Sequence, residues 1–160
     1  MSDDSSTDAD ETAEATLGRI ETEVAMLMRL GEATRRGTGT AEHRVLDRAA
    51  YVILRHLADA GPQNVSALAA RLNLDGSTVT RQVSAMQRDG LIMREPDPRD
   101  GRGMVVSPTP TGLQRMAAVQ AARTRLYGDM LAEWAPQDRD TLAALLHRLN
   151  RALSSRARQR

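Results

Sequence analysis

The sequence predicts a mostly α-helical fold with a small two- or three-stranded β hairpin. Apolar residues recur every three or four positions along most of the 160-residue chain, as they do on one face of a helix. Phe is absent and the apolar content is Ala, Leu, Val and Met, which favours helices over a β-sandwich. The exception is a Pro- and Gly-rich segment near residue 100 between two short apolar runs, which predicts the hairpin.

The N-terminal part of the chain divides into an acidic tail and a helix. Residues 1–15 hold six acids and no base and are rich in Ser and Thr, which predicts a disordered tail. Without the tail the net charge of +1 becomes 22 bases against 15 acids, or +7. A helix is predicted from about Thr16 to Thr34, before Arg35-Arg36-Gly37. Its apolar positions at spacings of three and four are Leu17, Ile20, Val24, Leu27 and Leu30.

Three helices follow in the middle of the chain. The first is predicted from about Asp47 to Asp59 and stops before Gly61-Pro62. The second, Ser66 to Leu72, and the third, Gly76 to Arg88, flank a short polar turn and form a helix-turn-helix. The candidate N-caps of the third helix are Asp75 and, as one-residue alternatives, Ser77 and Thr78.

The third of these helices has two different faces. Val79, Val83 and Met86 follow a helical spacing and predict a buried face. The opposite face carries no acid, although surface helices usually mix acids with bases, and this pattern suits a groove lined by phosphates and base acceptors. Its candidate DNA-contacting residues, with Thr78 at the helix start, are Ser77, Thr80, Arg81, Ser84 and Arg88. The alternative is an ordinary amphipathic helix with a solvated side.

Two members of this set have specific predicted roles. Ser77 and Thr78 lie at the helix N-terminus, where free backbone N–H groups and the helix dipole favour a phosphate. Arg81 lies one turn further and is the best candidate to reach O6 and N7 of a guanine.

The hairpin after the helix-turn-helix is predicted to be a wing. Gly90 ends the third helix, and the two strands are Leu91–Arg94 and Met104–Ser107. The tip between them carries Arg99 and Arg102, each preceded by an Asp two residues earlier, Asp97 and Asp100. A carboxylate beside an arginine can aim the guanidinium into a narrow minor groove. The alternative is two surface ion pairs, which contribute little to stability.

From about Leu46 to Gly112 the sequence resembles the MarR family of bacterial transcription regulators, and the flanking helices also fit. The residues that carry the resemblance are Leu68-Ala69, Ser77 to Arg81, Gly90-Leu91, Asp97 to Arg102 and Thr109 to Gly112. The resemblance implies that the helix Gly76–Arg88 is the recognition helix and that Arg102, supported by Asp100, enters the minor groove. One departure is Pro108, where relatives usually carry Leu, and a shorter second strand is expected there.

Two long helices are predicted after the wing. One starts near Leu113 and continues to Trp134, and the other opens at Pro136 with leucines on one face. These helices and the N-terminal one are too apolar for one small core, so we expect them to pack with a second copy. The predicted domain covers residues 16–155, with a DNA-binding lobe at about 46–108 and dimerisation helices at about 16–36 and 110–155. A two-fold homodimer implies a palindromic operator with half-sites one helical turn apart.

The remaining expectations concern ligands, location and other classes of function. The resemblance implies a small, often aromatic or phenolic effector, for which Tyr51 and His43 are candidate contacts. The chain has no cysteine and its histidines are scattered, so no disulfide, metal or cofactor is expected. No secretory or membrane-spanning segment is visible, which predicts a cytoplasmic protein. A repressor is expected; an architectural DNA binder is the alternative, and no catalytic motif points to an enzyme.

Overall fold

The computed structural model describes the backbone of residues 4–37, 46–98, 103–157 and 159, and the side chains of 12–33, 46–98, 103–157 and 159. By its contacts the chain divides into two compact units, Met1–His43 and Arg44–Arg160. The first unit holds helix α1 (Asp4–Gly37). The elements of the second are α2 (Arg48–Ala60), α3 (Val65–Leu72), α4 (Gly76–Arg88), β1 (Ile92–Pro96), β2 (Met104–Pro108), α5 (Pro110–Met130) and α6 (Pro136–Ala157).

Helix α1 begins at Asp4, well before the Thr16 start that the sequence predicted. The structure therefore places a helix through most of residues 1–15, which we expected to be disordered. No Pro or Gly occurs between Asp4 and Gly18, so nothing in the backbone interrupts a helix there. Along this helix Leu17 and Leu27 are exposed.

The core of the second unit lies between α2, α4, α5 and the hairpin. Ile53, Leu54 and Leu57 of α2 are fully buried, as are Leu68 of α3 and Val119 of α5. The first two helices of this unit begin at polar caps: the Asp47 carboxylate accepts the Ala50 N–H at 2.6 Å, and the Asn64 side chain accepts the Ala67 N–H at 2.7 Å. Each cap satisfies one N–H that the helix itself leaves unpaired. The predicted helix boundaries are therefore right to within a residue here.

Strands β1 and β2 form an antiparallel pair in which Ile92 lies opposite Pro108 and Pro96 opposite Met104. A third segment touches this sheet at one residue, because Gln63 forms an isolated bridge with Val106 (N···O 3.2 and 2.8 Å). The predicted two- or three-stranded wing thus has two strands and one bridge residue. The bridge could not be predicted because it is a single pair of residues far apart in the sequence.

Strand β2 is not shortened by its proline, contrary to our expectation. The N–H of Val106 points away from β1 toward Gln63, and Pro108, two residues further, faces the same way. Its missing N–H is therefore not needed for pairing with β1. The next pairing bond comes from the N–H of Thr109 to the carbonyl of Leu91, at 3.0 Å.

The wing and α5 meet at a close junction. The Thr109 hydroxyl donates to the carbonyl of Gly90 at 2.6 Å and accepts the N–H of Gly112 at 3.0 Å, so it also caps α5. Gly112 is buried, and a Cβ at this position would overlap the carbonyl of Leu91. Glycine is required here by close approach of two backbone segments, and its conformation is ordinary.

Helix α5 ends at Met130, before the predicted end at Trp134, and the chain turns over residues 131–134. The Arg139 guanidinium donates to the carbonyl of Ala132 at 2.8 Å and satisfies one backbone acceptor in this turn. None of the side chains of α6, all of which the structure describes, is buried. In the described part of the chain, no helix combines the length and the hydrophobicity needed to cross a membrane.

Candidate nucleic-acid interface

Helix α4 is held in place by one buried stripe. Val79 and Val83 have no exposed surface and Met86 is 3% exposed. The helix packs against α3, α2 and β1, with most of its contacts to α3 and β1. Burial of three apolar side chains stabilises its position by about 5–8 kcal/mol relative to exposing them. The predicted buried face is confirmed, so the opposite face is the one that the fold leaves open.

Asp75 is the N-cap of α4, as the sequence predicted. Its Oδ1 accepts the Ser77 hydroxyl at 2.6 Å and the Thr78 N–H at 2.7 Å. These hydrogen bonds, the one from Ser77 first, hold the pKa of the Asp75 carboxyl well below its usual range. The side chain is therefore an anion at neutral pH.

The cap changes the role that the sequence suggested for Ser77 and Thr78. The Thr78 N–H and the Ser77 hydroxyl are both directed to Asp75, and the carboxylate brings a negative charge to the helix N-terminus. The expectation of free N–H groups awaiting a phosphate is wrong for Thr78, because the N-cap residue already takes that donor. At the N-terminal end of α4 the negative charge of Asp75 is therefore an effect that the residue pattern did not predict.

The C-terminal end of α4 is fixed by the glycine that the sequence marked as its stop. Gly90 has φ 68°, its N–H bonds to the carbonyl of Gln87 at 3.1 Å, and the N–H of Leu91 bonds to that of Met86 at 2.9 Å. This pair of hydrogen bonds turns the chain sharply out of the helix. Strand β1 then begins at Ile92, so only three residues lie between the end of α4 and the first strand of the wing.

The predicted contact residues lie on the open side of α4. Ser77, Thr80, Arg81 and Arg88 are exposed, whereas Thr78 and Ser84 are half-buried. The Thr80 hydroxyl donates to the carbonyl of Gly76 at 2.7 Å and keeps its lone pairs for a donor. Two arginines and no acid lie between Gly76 and Arg88, which gives this face the charge that phosphates attract.

The wing is described at its base and not at its tip. The Asp97 N–H donates to the carbonyl of Gly103 at 2.9 Å and closes the loop between the strands. Arg99, Asp100 and Arg102 lie outside the described residues, so their role in the minor groove stays a prediction.

One exposed cation lies on the wing strand itself. Arg94 of β1 is opposite Val106, and its place in the sequence predicted only the end of an apolar strand. A cation directly after three apolar residues is the signal that marks it. Its neighbour Glu95 accepts the Ser107 hydroxyl at 3.1 Å, which ties the two strands together by their side chains.

Of the two candidate effector contacts, the structure describes Tyr51. The Tyr51 ring is half-buried against the core, and the Arg123 guanidinium carbon lies 4.5 Å from the ring centroid. This distance allows a cation–π contact between α2 and α5. His43 lies outside the described residues. Among the residues that are described, no three His, Asp or Glu side chains are grouped so as to hold a metal ion.

A small cavity lies between the start of α2 and the middle of α4. It has a volume of about 100 Å³ and is lined by residues that include Leu46, Ala50, Gln82 and Met86. The buried Gln82 Oε1 has no hydrogen-bond partner among the described residues. A cavity of about 150 Å³ holds benzene, so this one is too small for an aromatic effector as it stands.

This arrangement defines a class of protein. A short helix, a tight turn and a second helix with an open, acid-free polar face lead directly into a β hairpin, and that is a winged helix-turn-helix DNA-binding protein. Comparison with known sequences narrows the class: residues 46–104 match the MarR family. The chain belongs to the MarR family of transcriptional regulators.

Individual proteins agree with this assignment. The HTH-type transcriptional regulator YxaD of Bacillus subtilis is 40% identical over 107 residues, which are 67% of this chain and 75% of YxaD. A MarR protein of Peptoclostridium difficile superposes with a TM-score of 0.68 at 18% identity, over 86% of this chain and 89% of that one. The PcaV regulator of Streptomyces coelicolor, solved with its natural ligand, superposes with a TM-score of 0.63 at 23% identity. The superposition covers 81% of this chain and 91% of PcaV. At such identities the two structures show the shared fold alone.

Proposed function

We propose that this protein is a homodimeric, sequence-specific regulator that binds a palindromic operator and represses transcription in the cytoplasm. The observation that carries the proposal is α4: its buried stripe fixes the helix, and its open face presents Arg81 and Arg88 without a single acid. In the proposed complex α4 lies in the major groove, where Arg81 contacts a guanine edge. A protein bound there represses by excluding other proteins from the same DNA.

In the proposed complex the wing contacts the minor groove. Arg102, aimed by Asp100, enters the adjacent minor groove, and Arg99 adds a phosphate contact. Support comes from the short connection between α4 and β1, which keeps the base of the wing beside the end of α4. Arginine favours a narrow minor groove because the negative potential is strongest there.

The proposed dimer follows from apolar surface that this chain alone leaves uncovered. Leu145 and Leu153 of α6 are 53% and 57% exposed, and Trp134 before that helix is 45% exposed. A contiguous apolar surface on a regulatory protein is typically covered by a partner, and a second copy forms a closed two-fold assembly. Two recognition helices related by a two-fold axis require two inverted half-sites.

The proposal is tested by selecting bound duplexes from a random DNA library and footprinting the enriched sites. We expect a palindrome whose half-site centres are about 34–36 Å apart, or one helical turn. Discrete footprints at this palindrome support a regulator. Continuous, sequence-independent coating of the DNA would instead indicate an architectural protein and overturn the proposal.

We also propose that a small aromatic or phenolic molecule relieves repression. Support comes from the half-buried phenol ring of Tyr51, with the Arg123 guanidinium over its face at the contact of α2 and α5. An aromatic acid could replace this contact and change how the two helices pack, and its effect is limited to its difference in affinity for the two packings. The test is release of the selected operator by a panel of phenols and benzoates, with Tyr51→Ala as the matched variant. Release that is unaffected by Tyr51→Ala would place the effector elsewhere.

A further inference from the structure

The C-terminal end of α6 lies against the turn of the helix-turn-helix. The Asn73 side-chain amide donates to the carbonyl of Ser154, with an N···O distance of 3.4 Å. Asn73 has the left-handed backbone conformation (φ 59°, ψ 40°) that lets the chain leave α3 and start the turn. Ser154 is in the last turn of α6. The Asn73 side chain thus joins the turn to the end of α6.

This contact brings α6 close to the surface that faces DNA. Gly76, the first residue of α4, is within about 11 Å of Asn73, because consecutive Cα atoms are about 3.8 Å apart. In a docked helix-turn-helix the first helix crosses the DNA backbone and the second enters the major groove. The turn that joins them therefore lies beside a phosphate strand, and so does the end of α6.

The end of α6 carries charge of one sign. Residues 141–160 contain five arginines and no Asp or Glu. Arg151 is three residues before Ser154, so it shares the face of α6 that meets the turn, and it is exposed. The leucines at 142, 145, 146, 149 and 153 occupy the other side of the helix and are not used by this face.

We propose that the last turns of α6 form a further DNA-binding site, in which Arg151 contacts a phosphate beside the groove that α4 occupies. Asn73 is the positioning residue that holds this helix end against the helix-turn-helix. The site rests on the proposed function and extends the protein's footprint to the backbone next to each half-site. Phosphate contacts of this kind raise affinity for every sequence and do not select a base.

A second explanation of Arg151 is purely structural. Cations near the C-terminal end of a helix interact favourably with its dipole, by about 0.3–1 kcal/mol each at an exposed site. That role predicts that removing Arg151 lowers the stability of α6 and leaves DNA binding unchanged. The two explanations therefore differ in the salt dependence of DNA binding.

The experiment compares two singly substituted proteins of equal charge. Arg151→Gln removes the proposed contact from each protomer, and Arg125→Gln removes one exposed charge on α5. Affinity for the selected operator and for an unrelated duplex is measured from low to high salt. A phosphate contact contributes about 0.9 to the slope of log affinity against log salt, so the first variant should lose about one to two units of slope on both DNAs.

The outcomes separate this site from the proposed function. If the unsubstituted protein binds no DNA, the proposed function itself fails. If it binds and the Arg151→Gln variant keeps the full slope, or loses no more than the control, the α6 site is overturned and the regulator is unaffected. Thermal midpoints of both variants identify a loss that comes from α6 stability alone.

Asn73→Gly tests the positioning role on its own. Glycine keeps the left-handed conformation without strain and removes only the side-chain amide. We expect Asn73→Gly to lower the salt slope in the same way, and to add little when combined with Arg151→Gln. An Asn73→Gly protein with the unsubstituted slope would overturn this positioning role.

Discussion

Asp75 has two opposed effects at the start of α4. Its carboxylate caps the helix through Ser77 and Thr78, and it also places a negative charge where the proposed complex brings DNA phosphates. Asparagine caps a helix about as well as aspartate and is neutral. We therefore expect Asp75→Asn to keep the fold and to bind both specific and unrelated DNA more tightly at low salt. Equal or weaker binding, measured by fluorescence anisotropy, would mean that α4 does not meet phosphates at this end.

The same residue predicts one pH effect on stability. The pKa of Asp75 is lowered in the folded protein by hydrogen bonds from Ser77 and Thr78, so its stabilising contribution is complete above its unfolded pKa, about 4. That contribution is lost as the pH falls through the lower, folded pKa. Urea unfolding between pH 5 and pH 2 should show a larger loss of stability for the unsubstituted protein than for Asp75→Asn. Parallel curves would show that the cap does not favour the ionised form.

Arg81 is predicted to read one base pair. Arg81→Ala should weaken operator binding by about 1–3 kcal/mol and relax the preference at one position in each half-site. Arg81→Lys should relax it as well, because lysine cannot form the bidentate contact. The measurement is affinity for operators substituted singly at each position, with Gln87→Ala, an exposed residue of the same helix, as the control. A uniform loss at all positions would reassign Arg81 to a phosphate.

Arg102 is predicted to act differently from Arg81. Arg102→Ala should lower affinity across operators and reduce the salt slope by about one contact, because the minor groove attracts it mainly through its charge. Arg94→Ala, on the described base of the wing, is the matched comparison. A normal slope for Arg102→Ala, with a reduced one for Arg94→Ala, would move the DNA contact from the tip of the wing to its strand.

At the scale of elements, the junction of the wing with α5 depends on one glycine. A Cβ at Gly112 overlaps the carbonyl of Leu91, whereas one at Gly128, further along the same helix, has nothing within 4 Å. We expect Gly112→Ala to destabilise the protein by about 1–3 kcal/mol by overpacking. Gly128→Ala should stabilise it by up to about 1 kcal/mol through helix propensity. Chemical denaturation of both proteins checks the pair, and two changes of the same sign would contradict the packing argument.

The elements that sequence predicted best are those with a local signal at both ends. Helix α4 has a capping Asp before it and a glycine after it, and its predicted range, Gly76 to Arg88, is the observed one. The predicted start of α1 and the predicted end of α5 are wrong, because the sequence carries no such signal at either position. The role of Pro108 was misjudged because it depends on which way a strand N–H points, which pairing with Gln63 determines. For the site, the polar face of α4 was predictable, but the competition of Asp75 for the helix N-terminus was not.

At the scale of the whole molecule, assembly should depend on the leucine face of α6. Leu146 is 38% exposed on that face, and Ala144 lies on the opposite side of the helix. We expect Leu146→Glu to shift the protein toward monomer and to weaken binding to a palindromic operator by about 100-fold, because the two half-sites are then bound separately. Ala144→Glu adds the same charge and should remain dimeric. Sedimentation velocity and operator titration measure both effects, and a dimeric Leu146→Glu protein would direct the search for the interface to other apolar surfaces.

The junction at Gly90, Thr109 and Gly112 also has a mechanical consequence. It ties the last turn of the recognition helix, the base of the wing and the first turn of α5 to one another by short backbone contacts. Helix α5 is 21 residues long, or about 30 Å, so a small change in its direction at this junction moves its far end by a larger distance. A tilt of about 5° displaces the far end by roughly 2–3 Å at this length. Conversely, any force that moves the far end by that amount turns the recognition helix and the wing together as one body.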